Sequence, residues 1–173
     1  MNYFYNQFGP YSLVAATNDE IILRNNLLRS PCIEKSCQFI KKSGFDSASC
    51  AYNEGIDEAE NDIIIFAHQD VYLPHDWINN LNISLSLLHN IDSNWGVLWI
   101  FGIKTDRTPD GFVYSNGRKT ILGGPFNNPI PAHSLDELLL IIRKSSGLRF
   151  DENLPGFHLY GTDICLEARQ KGM

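Results

Sequence analysis

The sequence predicts an α/β layered domain with a mixed, mostly parallel central sheet. Three observations predict it. Strand-like apolar runs alternate with helical segments in the order β-α-…-α-β-α, which favours helices layered on a sheet. The run Ile63-Ile64-Ile65-Phe66-Ala67 is β-branched and aromatic without a polar break, as a strand buried on both faces requires. Three of the suspected strands stop in polar clusters, at the strand ends where open α/β sheets hold ligands. The chain of 173 residues matches about one domain of typical size. About 70% of the unfolded surface is buried at this length, so no disulfide or metal staple is needed.

The elements follow in chain order. Ser12–Ala16 reads as a strand, stopped by Thr17-Asn18-Asp19-Glu20, a polar cluster that can start a helix. Ile21, Ile22, Leu23, Leu27 and Leu28 carry the helical stripe, which ends at Ser30-Pro31 because proline disfavours helix at the residue before it. Residues 32–48 carry no strong period, although Cys37–Ile40 suits a strand. Ala48–Ala59 reads as a helix feeding the 63–67 strand, and Trp77–Leu88 as an amphipathic helix after His68-Gln69-Asp70 and Pro74. Gly96–Ile103 reads as one strand. Asp110-Gly111 and Asn116-Gly117 mark turns around Phe112-Val113-Tyr114 and predict a small hairpin. Leu122–His133, with two glycines and three prolines, reads as loop. Leu138–Arg143 and the short Phe157–Tyr160 read as strands, and Ile164–Gln170 as the last helix. A βα alternation calls for one more strand there, so the single domain over 1–173 is read as truncated at its C-terminus.

Composition excludes several function classes. Hydrophobic residues are 43% and charged residues 20%, which excludes wholesale disorder. The net charge of −6 argues against a binder that neutralises nucleic-acid phosphates. The longest apolar runs are five residues, against the roughly 20 of a spanning helix, so no integral membrane segment is expected. The first basic residue is Arg24, which leaves no charged start for a signal peptide. Cys32, Cys37, Cys50 and Cys165 form no CxxC pair, as in free thiols of a reducing cytoplasm.

The polar clusters are Thr17-Asn18-Asp19, His68-Gln69-Asp70, and His158 with Asp163. A parallel sheet brings them to one rim, and this convergence is the functional signal. Each also has a structural role available. Thr17-Asn18-Asp19 suits a helix cap, Asp70 a turn, His158 a hydrogen-bonded core position, and Asp163 the positive end of a helix.

The segment Ile63–Pro74, with His68-Gln69-Asp70-Val71, resembles the metal-binding strand end of family 2 glycosyltransferases with the GT-A fold. It matches the His-Gln-Asp-Val variant of the usual Asp-x-Asp motif, found in a StrF-type branch. Ser12–Asn18 resembles the opening nucleotide-binding strand, Ala51–Ile56 the Asn-x-Gly helix, and Phe150–Asp163 the acceptor-side segment. The resemblance covers residues 12–172 and implies a single GT-A domain. It implies transfer of a sugar from a nucleotide-diphosphate donor to an acceptor hydroxyl, with inversion, and with Mn²⁺ or Mg²⁺ on the leaving diphosphate. Thr17, Asn18, Asp19, Asn53 and Asp70 are then the nucleotide-binding residues. Asp70 anchors the metal and His158 adds a nitrogen ligand, which suits Mn²⁺. Asp163 takes the general-base position. The implied acceptor pocket uses residues 112–133, and Trp77, Trp95 and Trp99 serve either sugar stacking or the core. His68 departs from the family by replacing a carboxylate. That departure keeps open a non-catalytic nucleotide-sugar-binding domain. A nucleotidyltransferase is disfavoured, because Thr17-Asn18-Asp19-Glu20 is acidic and lacks glycine.

Overall fold

The computed structural model describes residues 8–33, 37–125 and 128–173. Strand β1 (Tyr11–Ala16) leads to helix α1 (Glu20–Asn25) and a 3₁₀ turn (Leu27–Arg29). Asp19 caps α1, accepting from Ile21 N at 2.8 Å and Ile22 N at 3.0 Å. Strand β2 (Cys37–Lys42), helix α2 (Ala48–Glu58), strand β3 (Ile63–Ala67) and helix α3 (Trp77–Ile91) follow. Ser47 caps α2 through Cys50 N. Next come β4 (Val97–Trp99), β5 (Phe101–Lys104), β6 (Pro109–Ser115), β7 (Thr120–Gly123), β8 (Ala132–Leu135) and β9 (Leu139–Arg143), then helix α4 (Tyr160–Gln170).

The central sheet has five strands in the order β2-β1-β3-β9-β4. β1 pairs in parallel with β2 and β3, while β9 runs antiparallel to both β3 and β4. The sheet is mixed as expected, with its antiparallel half larger than a mostly parallel reading allows. β1 and β3 are buried along their length, apart from a half-buried Ala16. Their side chains alternate between two core layers. Val14, Ile64, Phe66, Leu140 and Ile142 face α2 and α4, while Leu13, Ile63, Ile65, Leu139 and Ile141 face α1 and α3. This period of two is what a covered sheet imposes.

Three readings are corrected. The expected 96–103 strand is two, because Ile100 interrupts it: β4 joins the central sheet, and β5 joins a second, antiparallel sheet ordered β7-β6-β5-β8. The expected hairpin is β6–β7 of that second sheet. β8 begins inside the stretch read as loop, of which Phe126 and Asn127 lie outside the described residues. Phe157–Tyr160 is no strand. It is a turn in which Leu159 adopts φ 69° at the start of α4, a left-handed conformation without a ladder partner.

Gly55 sets how closely α2 approaches the sheet. A Cβ there would lie 2.4 Å from Val14 Cγ1. Alanine normally stabilises a helix interior relative to glycine. Here Gly55→Ala is expected to lower stability by about 1–3 kcal/mol through overpacking. A urea titration checks this, and an unshifted midpoint would show that α2 yields freely.

Candidate active site

The register of the parallel strands builds the site. β1 and β3 pair with Tyr11 opposite Ile63 and Val14 opposite Phe66. Carried past the strand ends, the same offset sets Thr17 beside Gln69. The β1–β2 register ends with Ala16 opposite Lys42, and Thr17 N donates to Lys42 O at 2.8 Å. Three neighbouring strand ends therefore form one rim, spaced about 4.8 Å apart.

A cleft of about 480 Å³ lies across this rim, within the range of small-molecule sites. Thr17 and Asn18 line it from the end of β1, Lys42 through Phe45 from the end of β2, and His68 through Asp70 from the end of β3. Tyr52 of α2 and Phe157, His158 and Tyr160 before and at the start of α4 also line it. Its base rests on an aromatic cluster. Tyr52 lies 4.9 Å from Phe66, 5.6 Å from Phe150 and 5.3 Å from Tyr160, ring centre to ring centre.

The triplet His68-Gln69-Asp70 divides its work. The His68 ring is held by Tyr160, with Nε2 2.7 Å from the phenol oxygen. Tyr160 in turn donates to the Glu137 carbonyl at 3.1 Å, an assignment that puts a proton on His68 Nε2. Burial, with Tyr52 and Glu137 nearby, raises the Tyr160 phenol far above its ordinary value. Burial likewise pushes Tyr52 up to about 12, so both stay neutral near pH 7. Gln69 points the other way. Its Oε1 accepts from Thr17 Oγ1 at 2.5 Å, Asn18 N at 3.3 Å and Asp19 N at 3.1 Å, and its Nε2 donates to Asn18 Oδ1 at 2.7 Å. The Asp70 carboxylate is exposed and has no protein partner among the described residues.

Thr17, Asn18, Asp70 and His158 thus meet in one cleft, although they come from distant parts of the sequence. Asp19, Asn53 and Asp163 are outside its lining. Asp19 caps α1. Asn53 is 4% exposed and clasps the 150 segment, donating to Phe150 O and Glu152 Oε1, both at 2.9 Å, and accepting from Phe150 N at 3.0 Å. Asp163 lies in the first turn of α4, where Oδ2 accepts from Asp151 N at 2.9 Å. Trp95 is buried beneath Arg143, whose guanidinium carbon sits 5.0 Å from the ring centre. Trp77 and Trp99 line a separate apolar groove of about 440 Å³ with Phe112 and Pro129.

Sequence reasoning missed Lys42, Tyr52 and Tyr160, and gave Gln69 no role of its own. The Lys42 side chain is 5% exposed. Its ammonium pairs with Glu54 at 2.8 Å and also with Glu58. Burial works against its charge, but the two carboxylates outweigh burial and hold Lys42 above the ordinary lysine value. Its charge is therefore already matched by protein.

Among the described residues, no group of three or more His, Cys, Asp or Glu is placed to hold a metal. The cleft offers two donors without protein partners, the Asp70 carboxylate and the His158 imidazole. A six-coordinate Mg²⁺ or Mn²⁺ would draw its remaining ligands from phosphate oxygens and water. Two such donors are fewer than the ion takes, so a cation here would depend on a diphosphate for the rest of its shell.

No family model matches the sequence. A protein of Fuscovulum blasticum described as "ATP synthase subunits region ORF 6" is 28% identical over 118 residues, which cover 63% of this chain and 45% of that protein. Among solved structures, S. aureus TarS 1-349 superimposes with a TM-score of 0.55 at 13% identity, covering 92% of this chain and 55% of that chain. The chain therefore spans about half the length of each. At that identity the structural likeness shows the fold alone, a mixed α/β fold like that of the TarS chain. No helix among the described residues is long and apolar enough to cross a membrane.

Proposed function

We propose that this protein is a glycosyltransferase with a single GT-A domain, acting in the cytoplasm. It takes a nucleotide-diphosphate sugar and passes the sugar to an acceptor hydroxyl with inversion, using Mn²⁺ or Mg²⁺. The observation that carries this reading is the meeting of Thr17, Asn18, Asp70 and His158 in one cleft across the ends of β1, β2 and β3, on a fold of glycosyltransferase type.

The residues divide the task by chemistry. Thr17 and Asn18 face the nucleoside, whose hydroxyls and amide-like edges suit their hydrogen-bonding groups. Asp19 supports them as the cap of α1, and Asn53 acts through the 150 segment and the aromatic base. The lysine of the cleft is matched by Glu54 and Glu58, so the diphosphate needs charge from elsewhere. Asp70 and His158 would hold the divalent cation, which when bound offsets the negative charge that builds up as the glycosidic bond breaks. Tyr160 lines the cleft, and Asp163 stands three residues further along α4 on a neighbouring face. Its Oδ1, not taken by Asp151 N, accepts the proton of the attacking hydroxyl.

His68 in place of a carboxylate, tied to Tyr160, favours one second reading, a domain that binds nucleotide sugars without transferring them. Calorimetry with UDP, GDP, CDP and ADP, with Mn²⁺ and after chelation, tests the first step. Incubation with a panel of nucleotide sugars then separates the two readings. Binding of at least one nucleoside diphosphate is expected, weakened about tenfold or more by chelation, together with transfer or slow donor hydrolysis. Binding without turnover selects the second reading, and no binding of any nucleotide removes both.

A further inference from the structure

The side chain of Gln69 joins the end of β3 to three successive residues at the end of β1, namely Thr17, Asn18 and Asp19, through four hydrogen bonds. Resting on the reading that this cleft takes a nucleoside diphosphate with a cation, we propose that Gln69 is a positioning residue. It holds the nucleoside-facing rim in register with Asp70.

The argument is geometric. The backbone ladder between β1 and β3 ends at Val14 and Phe66, so nothing in the ladder itself fixes the rim three residues further on. Parallel strand ends diverge there, because sheets twist by roughly 20–25° per strand. Gln69 closes that gap at the position where the register projects it. A carboxamide suits the task because one end is an acceptor and the other a donor. Oε1 gathers two backbone N–H groups and the Thr17 hydroxyl, while Nε2 reaches the Asn18 side chain. Thr17 Oγ1 is itself 3.3 Å from Asp19 N, which draws the same turn together. Asp70, the next residue along, is left exposed and without a protein partner. One side chain thus ties the two halves of a ligand site together, and its neighbour meets the cation.

A ligand that touches both halves should feel the loss of this tie more than one that touches a single half. The test compares wild type with Gln69→Ala, using a nucleoside diphosphate plus Mn²⁺ and the corresponding free nucleoside as probes. The nucleoside diphosphate of the panel that wild type binds most tightly is used. We expect about a tenfold or greater loss of affinity for the diphosphate, with the nucleoside weakened by no more than about threefold. Thr17→Val cuts one of the same contacts, so its effect should be less than additive with Gln69→Ala. Equal weakening of both probes, tracking a fall in melting temperature, would mean a purely structural tether and overturn the proposal. Unchanged diphosphate affinity in Gln69→Ala overturns it too, while leaving the nucleotide cleft standing. Failure of wild type to bind any nucleotide overturns it together with the reading of the cleft.

Discussion

Exchanging Asp163 for Asn is expected to lower sugar transfer by about 10²–10⁴-fold, the usual scale of a lost general base. Binding of the nucleoside diphosphate should stay within about twofold. The substitution is chosen for what it keeps. Asp163 Oδ2 holds Asp151 N at 2.9 Å, and the carbonyl oxygen of an asparagine can accept the same N–H. The turn before α4 then keeps its shape, and only the capacity to take a proton is removed. On the proposed reading donor binding depends on the ends of β1 and β3, and Asp163 lies outside the lining of that cleft. Asp70→Ala should give the opposite pattern, with loss of the Mn²⁺-dependent part of binding and a parallel loss of turnover. Single-turnover rates beside calorimetric affinities distinguish the two. Transfer at the wild-type rate in Asp163→Asn would leave the reaction without its base and require another group, with His158 an alternative that lines the cleft.

Much of this arrangement was legible in the amino-acid sequence, and the illegible parts have physical reasons. β3 could be read because five consecutive buried residues leave no other element of that length. The convergence of Thr17, Asn18 and Asp70 could be anticipated because strand ends share a rim whatever the loops do, whereas His158 reaches the cleft from a turn that the sequence reads as a strand. The direction of β9 could not, since Leu139–Ile142 is buried on both faces and has the same composition whether it runs parallel or antiparallel. The break at Ile100 was hidden as well. It depends on β8 arriving close to Gly102, where a Cβ would meet Ser134 O at 2.6 Å. Within the site, sequence gave residue types but not commitments. Asp19 and Asp70 look alike in a polar cluster, yet one caps a helix and the other is exposed in the cleft. Lys42 escaped notice because its meaning depends on Glu54 and Glu58, one helix later.

Asn53 separates a residue that contacts a ligand from one that holds the wall behind it. Asn53→Ala is expected to cost about 2–4 kcal/mol of folding stability. Its side chain supplies both partners of the Phe150 backbone, taking N–H at 3.0 Å and donating to C=O at 2.9 Å. Phe150 is 3% exposed, so alanine leaves two buried polar groups without these bonds, at about 1–3 kcal/mol for each group left unmet. The loss reaches the cleft through packing, because the Phe150 ring stands 5.6 Å from Tyr52 and 5.9 Å from Tyr160. Asn53→Asp keeps an acceptor for Phe150 N but sets a buried carboxylate against Phe150 O and the Glu152 carboxylate, so it should be at least as destabilising as alanine. Denaturant midpoints measure the stability series, and nucleotide affinity is measured at a temperature where every variant is folded. If Asn53 only braces the wall, affinity in the folded protein stays within about threefold across the series. A tenfold loss of affinity in folded Asn53→Ala would instead give Asn53 a direct hold on the nucleotide.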